Sequence, residues 1–66
     1  MNTQLLKSQM TLAKDTLASL AKALGRTSGT VWLKVNGKSE FTQSEIAVIA
    51  KRYELSPEQI EQIFFS

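Results

Sequence analysis

The stretch that decides the fold is LAKALGRTSGTVWLKVNGK, residues 20–38. Apolar side chains occur here at the i, i+3, i+4 and i+7 spacing of an amphipathic helix: Leu17, which lies three positions before the stretch, and then Leu20, Ala21 and Leu24 within it. Gly25 ends that helix, because glycine enters the left-handed conformation of a helix C-terminus without steric cost. The stretch therefore predicts a helix over residues 16–24 and, after a short turn, another from near Thr27 to Asn36-Gly37.

Two short helices joined by a tight turn that contains a glycine are typical of a helix-turn-helix, in which the second helix lies in the major groove of DNA. Ala21 is small at the point where the second helix of such a pair must cross close to the first. Val31 and Val35 are spaced to pack that second helix against the core. We therefore predict that this segment is a helix-turn-helix.

A first helix and a fourth flank this segment. Apolar residues at helical spacing predict the first helix over roughly residues 3–13, where they are Leu5, Leu6 and Met10. The fourth helix begins at a capping box, in which the Thr42 hydroxyl and the Glu45 carboxylate each satisfy a free backbone amide. Phe41 and Ile46 stand on either side of this box as a hydrophobic staple.

The fifth helix begins with the same signature. Ser56 is its N-cap, Pro57 its first helical residue and Gln59 the third, with a staple formed by Leu55 and Ile60. The connections are short and no strand-like alternation occurs. We therefore predict an all-α fold, a compact five-helix bundle that forms one domain over residues 1–66, with a core drawn from Leu20, Leu24, Val31, Ile46, Ile49, Tyr53 and Ile60.

The composition excludes several classes of function. The 66 residues include no cysteine and no histidine, so disulfides, the usual zinc ligand sets and the commonest general base are absent. We expect no catalysis, no metal, no cofactor and no small-molecule ligand. No apolar run approaches the length of a membrane span, and the N-terminus lacks the pattern of a signal peptide. These features predict a soluble protein that is located in the cytoplasm and has no membrane partner.

The charges are unevenly distributed, although the formal net charge is only +2. Residues 1–38 contain six basic residues and one acidic residue, whereas residues 39–66 contain two basic and five acidic residues. The first part is therefore the candidate surface for a polyanion. The alternative is that these basic residues are ordinary solvated side chains on helix faces.

The run LAKALGRTSGTVWLKVNGK, followed by a capped helix and then SPEQIEQIFF, resembles the small repressor and Cro-type regulators of bacteriophages, particularly those from Gram-positive hosts. The resemblance covers almost all of residues 4–65. It implies a lambda-repressor-like fold, a location in the bacterial host cell, and sequence-specific binding of a double-stranded DNA operator. It also implies a transcriptional regulator that acts as a weak homodimer or as a pair assembled on DNA.

By position, the resemblance places the residues that read bases on the third helix, at Ser28, Gly29, Trp32 and Leu33. The residues expected near DNA phosphates are Thr16, Arg26, Thr27, Lys34, Asn36 and Lys38. Arg26 has a neighbouring carboxylate as its alternative partner, and Thr16 is also a helix cap. The chain departs from the family pattern at Leu17, where many members carry a glutamine, and at Trp32 and Leu33, where polar residues are more common.

Trp32 leaves three interpretations open. If Val31 and Val35 face the core, Trp32 lies on the opposite side of the helix and can contact thymine methyl groups in a T-rich operator. Alternatively, the indole folds over a neighbouring helix and fills the core. In the third interpretation, Leu17, Trp32 and Leu33 form an apolar patch that binds protein, as in an antirepressor.

A second pair of apolar residues ends the chain. Phe64 and Phe65 are adjacent in sequence, so on a helix they point about 100 degrees apart and cannot both enter the core. We therefore expect this pair to supply a dimer contact.

Overall fold

A computed structural model describes all 66 residues and contains five α-helices and no strand. The helices are α1 (Thr3–Leu12), α2 (Leu17–Leu24), α3 (Ser28–Val35), α4 (Gln43–Arg52) and α5 (Pro57–Phe64). The predicted all-α five-helix bundle is confirmed. None of these helices combines the length and the apolar character needed to cross a membrane.

Each helix begins at a polar N-cap side chain that accepts a hydrogen bond from the amide of the third helical residue; the caps are Asn2, Thr16, Thr27, Thr42 and Ser56. Both predicted capping boxes are present. The Glu45 carboxylate accepts from the Thr42 amide at 2.8 Å, and the side-chain oxygen of Gln59 accepts from the Ser56 amide at 2.8 Å. The helix starts are therefore specified locally by the sequence.

Four helices end at a residue in the left-handed conformation, with φ between 53° and 76°: Lys14, Gly25, Gly37 and Glu54. In each case the amide of the next residue donates to the carbonyl five positions back, which is the Schellman arrangement. The ends at Gly25 and Gly37 agree with the prediction. The ends at Lys14 and Glu54 use residues that pay a steric cost for the same geometry.

The core consists of nine buried apolar residues: Leu6, Met10, Leu20, Ala21, Val31, Val35, Phe41, Ile49 and Ile63. Of the seven core residues predicted from sequence, three are fully buried and four are only partly buried: Leu24, Ile46, Tyr53 and Ile60. The reason is that α1 and the end of α5 take the central positions. Phe41 closes one end of the core, where its ring meets that of Phe64 edge-on at a centroid distance of 5.8 Å.

Helix α1 brings the first residues of the chain against the last helix. It packs against α5 and α3, and the Asn2 amide donates to the Ile63 carbonyl at 2.6 Å. Helices α2 and α3 form the most extensive helix pair, with Ala21 and Val31 buried. The small side chain of Ala21 fits the predicted close crossing of these two helices.

Candidate nucleic-acid interface

Helix α3 is held to the bundle by one face and exposes the other. A three-residue connection, residues 25–27, leads from α2 into α3. The inner face carries Val31 and Val35, both buried, as the helical spacing predicted. The positions that remain exposed, residues 28, 29, 32 and 33, are available to meet a partner.

The outer face consists of the four residues expected to read bases, Ser28, Gly29, Trp32 and Leu33, and all four are exposed. The exposed fractions of Trp32 and Leu33 are 46% and 42%. The interpretation of Trp32 as a core residue is therefore wrong. A β-carbon added at Gly29 would meet no atom within 4 Å, so internal packing does not require glycine there.

A shallow groove of about 320 Å³ runs between α1 and α3, beside this outer face. Leu17 and Trp32 both line the groove, so two of the three residues of the expected apolar patch lie on one surface. Lys7 and Asn36 form its polar edge, where the Lys7 Nζ donates to the Asn36 Oδ1 at 2.8 Å. Sequence reasoning did not assign Lys7 to this surface, because the contact joins residues 29 positions apart.

Asn36 is engaged by the protein through both ends of its side-chain amide. In addition to accepting from Lys7, it donates through Nδ2 to the Trp32 carbonyl at 2.9 Å. The bond from Lys7 ties the end of α3 to α1, and the bond to the Trp32 carbonyl closes the last turn of α3. In this structure Asn36 therefore supports the helix, rather than presenting a free amide to phosphate as expected.

Lys34 is the clear correction to the expected phosphate contacts. It is only 7% exposed, and its Nζ lies 2.6 Å from the Glu45 Oε1 and 6.0 Å from the centre of the Phe41 ring. The ammonium group is thus enclosed and already paired. Lys34 fixes α3 to the start of α4 and cannot reach a DNA backbone without leaving that site.

Arg26 shares the same carboxylate. Its Nε donates to the Glu45 Oε2 at 3.1 Å, while 49% of the Arg26 side chain remains exposed. The alternative partner for Arg26, a neighbouring carboxylate, is the one observed. Its exposed part still lies in the turn that leads into α3.

Glu45 is buried and accepts hydrogen bonds from Lys34, Arg26 and the Thr42 amide. Burial by itself raises the pKa of the Glu45 carboxyl. The hydrogen bonds from the two cations and from the backbone amide outweigh burial and hold the pKa at about 2, against an ordinary value of 4.5. One ionised carboxylate therefore joins the cap of α4, the turn before α3 and the inner face of α3.

The segment that contains α2 and α3 carries an excess of basic residues. Residues 16–39 contain four basic residues and no acidic residue. Two of the four are bonded to Glu45, and the other two, Lys22 and Lys38, are exposed and form no ion pair. Lys38 directly follows the turn that ends α3.

The two threonines expected near phosphates are both helix caps. The Thr16 hydroxyl accepts from the Ser19 amide at 3.1 Å, and the Thr27 hydroxyl accepts from the Thr30 amide at 3.2 Å. Both residues are exposed, so the N-termini of α2 and α3 open to solvent. An exposed helix N-terminus favours an anion.

A second ionic cluster, which sequence reasoning missed, fixes the start of α2. The Asp15 carboxylate accepts from the Arg52 Nε at 2.8 Å, the Arg52 Nη2 at 2.9 Å and the Tyr53 hydroxyl at 2.6 Å. The Arg52 hydrogen bonds lower the pKa of the Asp15 carboxyl, burial opposes them, and the resulting pKa is about 2. Burial and the bond to Asp15 raise the pKa of the Tyr53 hydroxyl well above its ordinary value. A sequence signal existed, since Asp15 is the only acidic residue before Glu40.

The two terminal phenylalanines differ in environment. Phe64 is partly buried against Phe41, whereas Phe65 is 66% exposed. Phe64 therefore belongs to the edge of the core. Phe65 is the member of the pair that remains available for a dimer contact.

No protein-family model, no curated protein and no solved structure matches the chain.

Proposed function

We propose that this chain is a sequence-specific double-stranded DNA-binding transcriptional regulator of the phage repressor/Cro type, active in the cytoplasm of the bacterial host. It reads an operator through α3. The observation that carries the proposal is the outer face of α3, where Ser28, Gly29, Trp32 and Leu33 are exposed on a helix whose inner face is anchored. The protein acts as a weak homodimer or as a pair assembled on DNA, and Phe65 is the candidate contact.

Shape and charge both support this proposal. An α-helix fits the major groove, and a residue without a side chain at position 29 allows the helix to approach the base edges closely. The segment that carries α2 and α3 has no acidic residue to repel phosphate. The elements that would flank the DNA major groove carry Lys38, the exposed part of Arg26, and the exposed helix N-termini at Thr16 and Thr27.

The electrostatic part of the proposal is tested by fluorescence anisotropy with labelled duplexes from the DNA that flanks the gene, at two salt concentrations. Replacing Lys38 by alanine should weaken binding equally on specific and random duplexes and lower the salt slope by roughly one unit. Lys51 is the matched control, since it is also exposed but lies in the acidic part of the chain. The proposal fails if no duplex binds, or if binding is independent of salt.

A protein-interaction module, such as an antirepressor, is the second candidate. Leu17 and Trp32 line one groove, and Leu33 is exposed on the same helix. Contiguous exposed apolar surface usually marks an interface. This candidate predicts a protein partner whose affinity does not depend on salt and is lost in the Trp32→Ala variant. It also predicts that any DNA binding is unaffected by Trp32→Ala.

A further inference from the structure

We infer that the outer face of α3 recognises the C5 methyl group that pyrimidines present in the major groove. Thymine and 5-methylcytosine both carry this group, so either base would serve. The inference rests on the proposed DNA binding and adds to it the chemical group that is recognised.

The first step is the chemistry of the face itself. Gly29 offers no side chain, Leu33 is wholly apolar, and Trp32 has one polar atom at the edge of a large apolar ring. Ser28 contributes a single hydroxyl, which can donate or accept a hydrogen bond at a base edge and therefore does not distinguish one base from another. Bidentate recognition of guanine uses arginine or lysine, and that of adenine uses asparagine or glutamine. The face contains none of these four residue types.

The second step concerns the polar residues next to the face. The Lys34 ammonium is buried against Glu45. A bidentate contact from Asn36 to adenine needs its Oδ1 and Nδ2, which are bonded to Lys7 and to the Trp32 carbonyl. Arg26 lies in the turn, not on the face, and its Nε is held by Glu45. On the outer face of α3, hydrogen-bond recognition is therefore restricted to Ser28 and the indole nitrogen.

The third step is the apolar surface that remains. Trp32 and Leu33 are 46% and 42% exposed, so both can bury additional surface on binding. A β-carbon added at Gly29 would meet no neighbouring side chain within 4 Å, so the surface at that residue is open. In the major groove, the pyrimidine methyl is the group by which an apolar surface can distinguish one base from another. From the transfer free energy of a methylene group, each buried methyl changes the affinity by about fourfold.

The test uses four short duplexes of defined composition in the anisotropy assay. Two have alternating A·T sequence, one with thymine and one with uracil in its place; two have alternating G·C sequence, one with cytosine and one with 5-methylcytosine. Within each pair only the methyl group differs. We expect the methylated member to bind at least about fourfold more tightly.

A difference confined to the first pair assigns the methyl to thymine, and a difference confined to the second assigns it to 5-methylcytosine. Equal affinity within both pairs overturns the inference. If that equal binding still weakens with salt, the proposed function survives without the inference. If none of the four duplexes binds while the duplexes that flank the gene do, the inference fails alone; if no duplex of either set binds, the inference and the proposed function fail together.

Protein variants separate recognition of the methyl from general binding. Leu33→Ala should bring the ratio of methylated to unmethylated affinity towards one, and Trp32→Ala should do the same. If the Trp32→Ala variant does not fold, Leu33→Ala still tests the inference. Circular dichroism verifies the helix content of both variants. Lys38→Ala is the control: it should weaken binding to all four duplexes and leave the ratio unchanged. A ratio that is unaffected by both apolar substitutions contradicts the inference.

Discussion

The shared carboxylate of Glu45 gives the sharpest test of how α3 is held in place. Glu45→Gln keeps the size of the side chain and its ability to complete the capping box, since α5 has Gln59 at the equivalent position. The substitution removes the negative charge, which lies 2.6 Å from Lys34 and 3.1 Å from Arg26, and replaces the acceptor oxygen that faces Arg26 by an amide NH2, while the oxygen that completes the cap remains. It therefore isolates the ionic role of Glu45 from its capping role.

The magnitude follows from burial. Removing one partner of a buried ion pair costs about 3 to 5 kcal/mol, because the other charge remains enclosed, and Lys34 meets that condition. Arg26 is half exposed and adds no more than about 1 kcal/mol. The amide oxygen of glutamine can still accept from Lys34, so we expect a net loss of about 3 kcal/mol. A domain of 66 residues has a total stability of roughly 3 to 10 kcal/mol, so the loss is a large part of it.

The assay is urea denaturation followed by circular dichroism and by the fluorescence of Trp32. The matched control is Gln59→Glu, which exchanges the same two residue types in the other capping box and should change the stability by less than about 0.5 kcal/mol. Adding Lys34→Met to Glu45→Gln should restore most of the loss, because the uncompensated charge is gone. A loss below about 1 kcal/mol for Glu45→Gln, or an equal loss in the control, would refute the reasoning.

Three further predictions follow from the pKa values and the backbone. The folded-state pKa values of Glu45 and Asp15 are about 2, against ordinary values of 4.5 and 3.8, so the stability that these carboxylates contribute is present above about pH 5 and is lost as the pH falls towards 2. Denaturation midpoints measured across this range should show a loss of stability on the order of 4 kcal/mol. A profile that is flat with pH contradicts this prediction. Gly29→Ala should raise the stability by less than about 1 kcal/mol through helix propensity, since the residue lies in the first turn of α3, while weakening DNA binding; unchanged DNA affinity would exclude close approach at that residue. Glu54→Gly should stabilise the protein by about 0.5 to 1 kcal/mol and Gly25→Ala should destabilise it by about 1 kcal/mol, because both residues have positive φ; thermal denaturation in which the two changes share a sign would contradict the strain argument.

The helix boundaries were predictable because their determinants are local. An N-cap acts over three residues, and so Thr42 and Ser56 could be identified without knowledge of the fold. The left-handed ends at Lys14 and Glu54 could not, since in a sequence such an end is marked by glycine or, less often, asparagine. At these two positions the backbone conformation is determined by the connections to the next helices rather than by the conformational preference of the residue.

The outer face of α3 was also predictable, since its positions follow from Val31 and Val35 by helical spacing. The same spacing places Lys34 three residues after Val31, on the inner face, and this signal could have indicated burial. Its partner could not be inferred, because Glu45 lies eleven positions away in another helix. Asp15 and Arg52 are 37 positions apart, and such pairs depend on how the helices pack.

The hydrogen bond from the Asn2 amide to the Ile63 carbonyl makes the bundle suitable for circular permutation. A short glycine-serine linker can join the two ends there, and new termini can open in the exposed residues 38–40. In the permuted chain α1 and α5 become sequence neighbours, whereas the α2–α4 contact has to close a longer loop. A change in the folding rate would therefore show which of these two contacts forms before the rate-limiting step.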